Sequence, residues 1–348
     1  MVGLFQRSSM VESVMRLQQA GAPVVIGRSL ALDPAAMDEL SRAGDPFALE
    51  KGDLLFRQGG PADAAYLLTE GALQVATRIP GDELTAISTV MPGDVVGEFA
   101  LLDDRPRSAS VRAVEPSAGL RIPRVRIQAL VADGWPPALA LFAAVCRLMA
   151  GRIRQGVERI ADAADFEPSA LRRFGAGPPP GAVEAGDLAA LIAGVPRLAE
   201  WTAHAGGIAG IAAWQHVAKG GAVLVPGAAP GAIRVVLRGA LRAGIMREGG
   251  IEPIAIHGPG EIAGLIAALD GAGEPLAIEA AEETLMLAIP AARLAALATD
   301  PAPLARALMA VIGRQLVLEH VRANRHLGRI TALERFNAAG EASACAAS

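Results

Sequence analysis

Two hydrophobic rhythms alternate along the chain. Residues 8–20 carry apolar side chains at helical spacing, and Leu32-Asp33-Pro34-Ala35-Ala36-Met37 reads as a helix start, with Asp33 as cap and Pro34 in the first turn. From about Phe47 to Pro123 the apolar runs shorten and break at Gly, Pro and Asp. They predict strands over Asp53–Arg57, Ala65–Leu68, Leu73–Thr77, Leu84–Val90, Val95–Val96, Ser110–Val114 and Gly119–Ile122. Short strands between turn residues predict an antiparallel sandwich or roll. Helical spacing returns after Trp135-Pro136-Pro137 and runs to about Ala164. There Leu139, Phe142, Val145, Leu148, Met149, Ile153 and Val157 form a stripe, with Arg147, Arg152, Arg154 and Glu158 on other faces. The run Phe174-Gly175-Ala176-Gly177-Pro178-Pro179-Pro180-Gly181 holds no period and marks a domain boundary.

Beyond that boundary the turn residues repeat in order. Lys51-Gly52, Gly59 and Gly71-Ala72-Leu73 return at one offset as Lys219-Gly220, Gly227 and Gly239-Ala240-Leu241. Pro92-Gly93-Asp94 returns as Pro259-Gly260-Glu261 after a single-residue shift. Isolated glycine matches mean little in a chain with 39 Gly, but agreement over several turns in one order implies an internal duplication. The expected fold class is α+β, mainly β: two tandem antiparallel β-rolls of jelly-roll type, each with flanking helices. The expected boundaries are 1–27 for an N-terminal helical segment, 28–164 for the first roll and its helix, 165–182 for a Pro/Gly-rich linker, 183–337 for the second roll and its helix, and 338–348 for a flexible tail.

Composition narrows the chemistry. Hydrophobic residues make up 52% but aromatics only 3%, so aliphatic side chains must fill both cores. A formal charge of -4 argues against a generic nucleic-acid binder. Cys146 and Cys345 stand in no motif, and His204, His216, His257, His320 and His326 keep no metal-ligand spacing, so all seven read as structural. The sequence shows no nucleophile–base pair, Walker loop or dinucleotide fingerprint, which predicts a non-enzyme without metal or cofactor. The N-terminus lacks a signal-peptide core. The apolar stretch from Ala138 to Met149, interrupted by Arg147, reads as too short to span a bilayer, so a cytoplasmic protein without membrane attachment is expected.

The segment with chemical content is Gly97-Glu98-Phe99-Ala100-Leu101-Leu102-Asp103-Asp104-Arg105-Pro106-Arg107-Ser108-Ala109-Ser110-Val111, which follows a predicted strand. Gly97 lets the backbone turn closely against a ligand. The amides of Phe99 and Ala100 open a short helix, and Arg107 adds a permanent positive charge with a fork of donors suited to phosphate oxygens. Glu98 is an acceptor for a hydroxyl, and Ser108 adds a hydroxyl of its own. One anion site beside one hydroxyl site fits a sugar phosphate.

These residues resemble the phosphate-binding cassette of cyclic nucleotide-binding domains: Gly-Glu, a small apolar helix, a few variable residues, then Pro-Arg-x-Ala. Here the pattern stands as Gly97-Glu98-Phe99-Ala100-Leu101-Leu102 and Pro106-Arg107-Ser108-Ala109, and Lys51-Gly52-Asp53-Leu54-Leu55-Phe56-Arg57-Gln58-Gly59 is similar to the family's first strands. The resemblance covers roughly residues 28–160. It implies that Glu98 accepts from the ribose 2′-hydroxyl, and that Arg107 pairs with the cyclic phosphate. It also implies that the amides of Phe99, Ala100 and Ala109, with Ser108, complete the cradle, that Val96 packs under the sugar or base, and that the helix after Trp135 supplies a lid. Ser108 directly after the arginine favours cyclic AMP; cyclic GMP is the alternative. An internal Glu98–Arg107 pair in a pocket that has lost its ligand is the plainer reading of the same residues.

In the second copy the cassette falls on Gly264-Leu265-Ile266-Ala267-Ala268-Leu269-Asp270, with Glu274 for Arg107 and Pro275 for Ser108. Leu265 cannot accept from a hydroxyl, Glu274 repels phosphate and Pro275 has no amide, so this copy is expected to fold without binding a cyclic nucleotide. A ligand of altered, cationic character is the alternative. The expected function is a cyclic nucleotide-binding regulator that passes ligand binding in the first roll to the second, or to a partner. The expected protein contact is a partner or homodimer through helix 136–164. A non-enzymatic scaffold with vestigial binding, or an atypical Crp-like regulator, is the alternative. No helix-turn-helix is recognisable, so DNA is not an expected partner. The helix expected from Pro303 to about Asn337 carries Arg306, Arg314, Arg322, Arg325, Arg329 and Arg335, either as a solvated face or as a contact for nucleic acid or an acidic partner.

Overall fold

The computed structural model describes residues 43–78, 84–162, 171, 173–248 and 250–346. The helices expected over 8–20 and from Leu32 lie outside these described residues.

The first roll comprises β1 (Asp45–Leu49), β2 (Leu54–Phe56), β3 (Ala64–Glu70), β4 (Leu73–Arg78), β5 (Leu84–Val90), β6 (Val95–Val96), β7 (Ser110–Ala113) and β8 (Ser117–Pro123). They form two antiparallel four-stranded sheets, ordered β1-β8-β3-β6 and β2-β7-β4-β5. Each strand predicted in this roll is present to within two residues. β1 is the addition: Pro46 breaks its pattern, and proline is tolerated there because β1 lies at a sheet edge. Ala64, Tyr66, Leu68, Leu73, Val96 and Val111 build the core, with Phe47 and Phe56 packed against it. The one-turn helix α1 (Phe99–Leu102) sits between β6 and β7, and α2 (Arg124–Ala132) and α3 (Pro136–Asp162) follow β8.

The second roll comprises β10 (Ala213–Val217), β11 (Ala222–Leu224), β12 (Ala232–Arg238), β13 (Leu241–Arg247), β14 (Gly250–His257), β15 (Ile262–Ala263), β16 (Ala277–Ala280) and β17 (Thr284–Pro290). Before it stand β9 (Gly181–Ala182), α4 (Leu188–Ala193), a 3-10 turn at Pro196–His204 and α5 (Ala205–Ile211). Helix α6 (Leu265–Asp270) takes the place of α1, and α7 (Ala291–Leu297) and α8 (Pro303–Ala346) close the unit. Its sheets, β15-β12-β17-β10-β9 and β11-β16-β13-β14, repeat the first roll's pairing and add β9. Even the irregularities repeat. Register shifts at Leu54/Phe56, Leu68/Glu70 and Val75/Ala76 recur at Ala222/Leu224, Val236/Arg238 and Ala243/Gly244. A bulge changes twist and aim at one point of a strand, so three at matching positions show the duplication directly.

Three sequence expectations change. Compactness divides the chain between Leu148 and Met149, inside α3, rather than in the 165–182 linker. The later half of α3 packs within the second unit. Arg154 grips Asp270 through two hydrogen bonds of 2.6 and 2.9 Å, Arg247 donates to the Ile160 carbonyl at 3.1 Å and to that of Ala161, and Gly156 leaves room for Ala323 and Leu327 of α8. Part of the expected linker also joins the second unit, because β9 pairs with β10 and Gly177 bridges to Gly221. Second, α8 runs to Ala346 rather than ending near Asn337, since the segment expected as a flexible tail is alanine-rich and favours helix. Third, α3 has 27 residues and is long and apolar enough to cross a membrane; 56% of its most apolar stretch is buried within the fold.

Candidate functional site

The cassette begins where β6, paired to β3 through Tyr66 and Val96, ends at Gly97. Gly97 has φ +73°, and a Cβ there would lie 2.5 Å from Arg107 Nη1 and 3.3 Å from Phe56. Only glycine allows both this backbone and this approach. Glu98 already has helical torsions, and α1 buries Ala100, Leu101 and Leu102 against the roll. The chain returns through Pro106 to Arg107, whose backbone is pinned on both sides: Gly59 N–H donates to the Arg107 carbonyl and Arg107 N–H to the Gly60 carbonyl, both at 2.9 Å.

Glu98 and Arg107 are charged yet only 2% and 6% exposed. The guanidinium lies over the Phe56 ring, 4.2 Å from its centroid, with Tyr66 at 5.8 Å. Its Nε donates to Pro61 O (3.1 Å), Nη1 to Gly97 O (3.2 Å), and Nη2 to Ala64 O (2.7 Å) and Asp63 Oδ1 (3.1 Å). Burial pulls the Arg107 pKa below its ordinary value, while Tyr66, Asp63 and Glu98 oppose that pull. An arginine lowered from so high a starting point stays cationic at neutral pH. Asp63 holds a second cation, Arg121 Nη2, at 2.8 Å on Oδ2. Burial raises the Asp63 carboxyl, but Arg121, a backbone hydrogen bond and Arg107 together outweigh it and the net shift is downward.

The structure brings Gly97, Glu98 and Arg107 together inside the roll, with Val96 buried on β6 beneath them. Two expected contributions differ. The Ala100 amide donates to Gly97 O at 3.1 Å, the carbonyl that also receives Arg107 Nη1, so it is used inside the cassette rather than facing outward. The arginine fork is likewise mostly occupied by main-chain carbonyls and Asp63. Phe99 is half-buried, Ala109 is buried, and Ser108 is exposed. Sequence reasoning missed Phe56, Asp63 and Tyr66 as partners of Arg107. A signal was present in the second copy, where Leu224, Gly231 and Arg234 occupy those three positions.

In the second roll, Gly227 N–H donates to the Glu274 carbonyl (2.8 Å) and Glu274 N–H to the Ala228 carbonyl (2.9 Å), so Glu274 stands in the backbone position of Arg107. It is 4% exposed. Its Oε1 accepts from Leu276 N–H at 3.4 Å, and its Oε2 has no hydrogen-bond donor among the described residues. Burial pushes its pKa up to about 7, against the pull of the Leu276 amide, Arg154 and His257. Leu265, in place of Glu98, is buried. Among the described residues no cluster of His, Cys, Asp and Glu could hold a metal ion.

The cyclic nucleotide-binding domain family matches residues 46–133 and 214–300, and the chain belongs to that family. It is 36% identical over 94 residues to a cAMP-dependent protein kinase regulatory subunit of Dictyostelium discoideum, covering 26% of this chain and 29% of that one. It is 38% identical over 86 residues to the acetyltransferase Pat of Mycolicibacterium smegmatis (25% and 26%). It is 24% identical over 131 residues to a CRP-like cAMP-activated global transcriptional regulator of Mycobacterium tuberculosis (38% and 57%). The matched stretch thus spans under a third of the first two relatives and just over half of the third. A solved cyclic nucleotide-binding domain from Methylobacillus flagellatus overlays with a TM-score of 0.38 at 22% identity, covering 44% of this chain and 88% of that one. The fold assignment rests on the family match and the strand pairing.

Proposed function

We propose that the first roll is a sensor for cyclic AMP and that the protein is regulatory rather than enzymatic. The observation that carries this reading is the buried Glu98 and Arg107 held around the Gly97 turn. A carboxylate and a guanidinium in one desolvated site suit a ligand that joins a hydroxyl to a phosphodiester anion. Glu98 takes the 2′-hydroxyl, Arg107 faces the phosphate, and Ser108 favours adenine over guanine. The second roll, with Leu265 and Glu274 at these places, binds no cyclic nucleotide. The signal leaves through α3, which begins in the first unit and ends in the second. Coupling then requires that α3 hold two positions with different ligand affinity.

Calorimetric titration of the full chain tests this. One site per chain is expected, with cyclic AMP bound more tightly than cyclic GMP. Removing the guanidinium in Arg107→Ala lowers affinity by about two to three powers of ten, the equivalent of about 3–4 kcal/mol for a buried charge left unpaired. Because Arg107 also ties strands together, Glu98→Ala serves as the second variant. It should bind cyclic AMP no better than the unaltered chain binds the 2′-deoxy analogue. Two sites per chain, or unchanged affinity in both variants, would sink the reading. A scaffold with vestigial binding is the second reading, favoured by the guanidinium's four internal hydrogen bonds; absence of measurable binding supports it.

A further inference from the structure

We infer that Phe56 is the positioning residue for the ligand-binding guanidinium, and that Arg107 reaches its ligand through a single N–H, on Nη1. This rests on the proposed reading of the first roll as a cyclic nucleotide site. A guanidinium has five N–H donors. Four are taken in the folded protein: Nε by Pro61 O, one on Nη1 by Gly97 O, and both on Nη2 by Ala64 O and Asp63. These bonds fix the group in its own plane. They resist tilt out of that plane weakly, and the Phe56 face, 4.2 Å from Cζ, supplies that restraint. Phe56 is itself braced by Tyr66, whose ring centroid lies 5.8 Å away, and Tyr66 by Phe47 at 5.5 Å.

The duplication provides an internal control. Four residues that meet at the guanidinium change together in the second copy: Phe56 to Leu224, Asp63 to Gly231, Tyr66 to Arg234 and Arg107 to Glu274. They come from separate strands and loops, and what they share is contact with that group. Neighbours that only build the wall keep their character, as Leu68 and Leu73 return as Val236 and Leu241. The second roll forms the same β2-type strand, with the same register shift, around Leu224. Leucine therefore suffices for the roll. The aromatic ring at Phe56 serves the guanidinium.

The test uses the full chain and three ligands: cyclic AMP and its two phosphorothioate diastereomers, in which sulfur replaces one or the other exocyclic oxygen. A single N–H held at fixed tilt meets one exocyclic oxygen, so the unaltered protein should prefer one diastereomer by about tenfold. In Phe56→Leu, cyclic AMP affinity should fall about tenfold and the preference should shrink to about twofold. Phe56→Tyr keeps the ring and should restore both. A Phe56→Leu protein that keeps the full preference, even with weaker binding overall, overturns the inference, because a packing role would lower all three affinities alike. Failure of Phe56→Tyr to restore the preference overturns it as well, and so does an unaltered chain that binds both diastereomers equally. An unaltered chain that binds none of the three ligands removes the proposed function and this inference together, which separates the two kinds of failure.

Discussion

At the scale of single residues, the site depends on where a Cβ can and cannot go. Gly97 and Gly264 hold the same turn in the two rolls, with φ +73° and +80°. A Cβ at Gly97 would meet Arg107 Nη1 at 2.5 Å, whereas at Gly264 the nearest atoms are Ala232 O at 3.1 Å and Leu224 Cδ1 at 3.2 Å. Both Gly→Ala changes impose left-handed backbone strain of about 1–2 kcal/mol. Only Gly97→Ala also displaces the guanidinium. Thermal denaturation should register a loss in both variants, while calorimetry should find cyclic AMP affinity reduced by about tenfold or more in Gly97→Ala and unchanged in Gly264→Ala. Equal effects on binding would mean that the turn, and not the arginine beside it, matters. Gly97, Glu98 and Arg107 were legible in the sequence because they lie ten residues apart at most and the spacing is rigid. Asp63, Phe56 and Tyr66 were not, because they arrive from β2, β3 and the loop between them. Their partnership with Arg107 exists only once the strands pair.

At the scale of elements, the strands were predictable because turn residues bracket short apolar runs, and the repeat was predictable because those turn residues recur in order. The helices were harder. α3 and α8 were recognised by their period, but period says nothing about which polar residues turn inward. Arg322, read from sequence as one of a basic face, donates to both oxygens of Glu261 at 2.9 and 3.0 Å, and Arg314 meets Glu200 at 2.9 Å. Glu319, one turn before Arg322, lies 3.1 Å from it and 3.4 Å from His257 Nε2, an ion-pair distance. Burial works against the Glu319 carboxylate, yet His257, Arg322 and Gln315 bring its pKa down on balance. This cluster fastens α8 to the second roll. Removing the carboxylate in Glu319→Ala takes from His257 the partner that holds its proton and leaves Arg322 to Glu261 alone, at a cost of about 2 kcal/mol for the charged hydrogen bonds lost. Hydrogen exchange should then show α8 opening more readily. Protection equal to that of the unaltered chain would show that the apolar face alone holds the helix.

At the scale of the whole molecule, one fold appears twice with opposite charge at its key position, and this asymmetry has a thermodynamic consequence confined to the second unit. Glu274 stands where the first roll has a cation, and burial moves its pKa from 4.5 to about 7. The charged groups acting on it are Arg154, His257, Asp270 and Arg234. A carboxyl whose pKa is higher folded than unfolded binds its proton more tightly in the native state. Its contribution is complete below the unfolded value and is lost as pH rises through the folded one. His257 has the same sign, since burial lowers its pKa but Glu319 and Glu261 raise it above 6.5 on balance. The second unit should therefore weaken between about pH 4.5 and about pH 8, with about 3 kcal/mol belonging to Glu274 at about 1.4 kcal/mol per pKa unit. Arg107, cationic over that whole range, gives the first roll no such dependence. Glu274→Gln keeps the shape and removes the titration. Denaturant melts at pH 5 and pH 8 should show the unaltered second unit weaker at the higher pH, and the variant declining less, by the part that belongs to His257, and more stable than the unaltered chain at pH 8. A variant that retains the full pH dependence would assign the effect to His257 and its partners, and would mean that the carboxylate in the arginine's place is ionised in the folded protein after all.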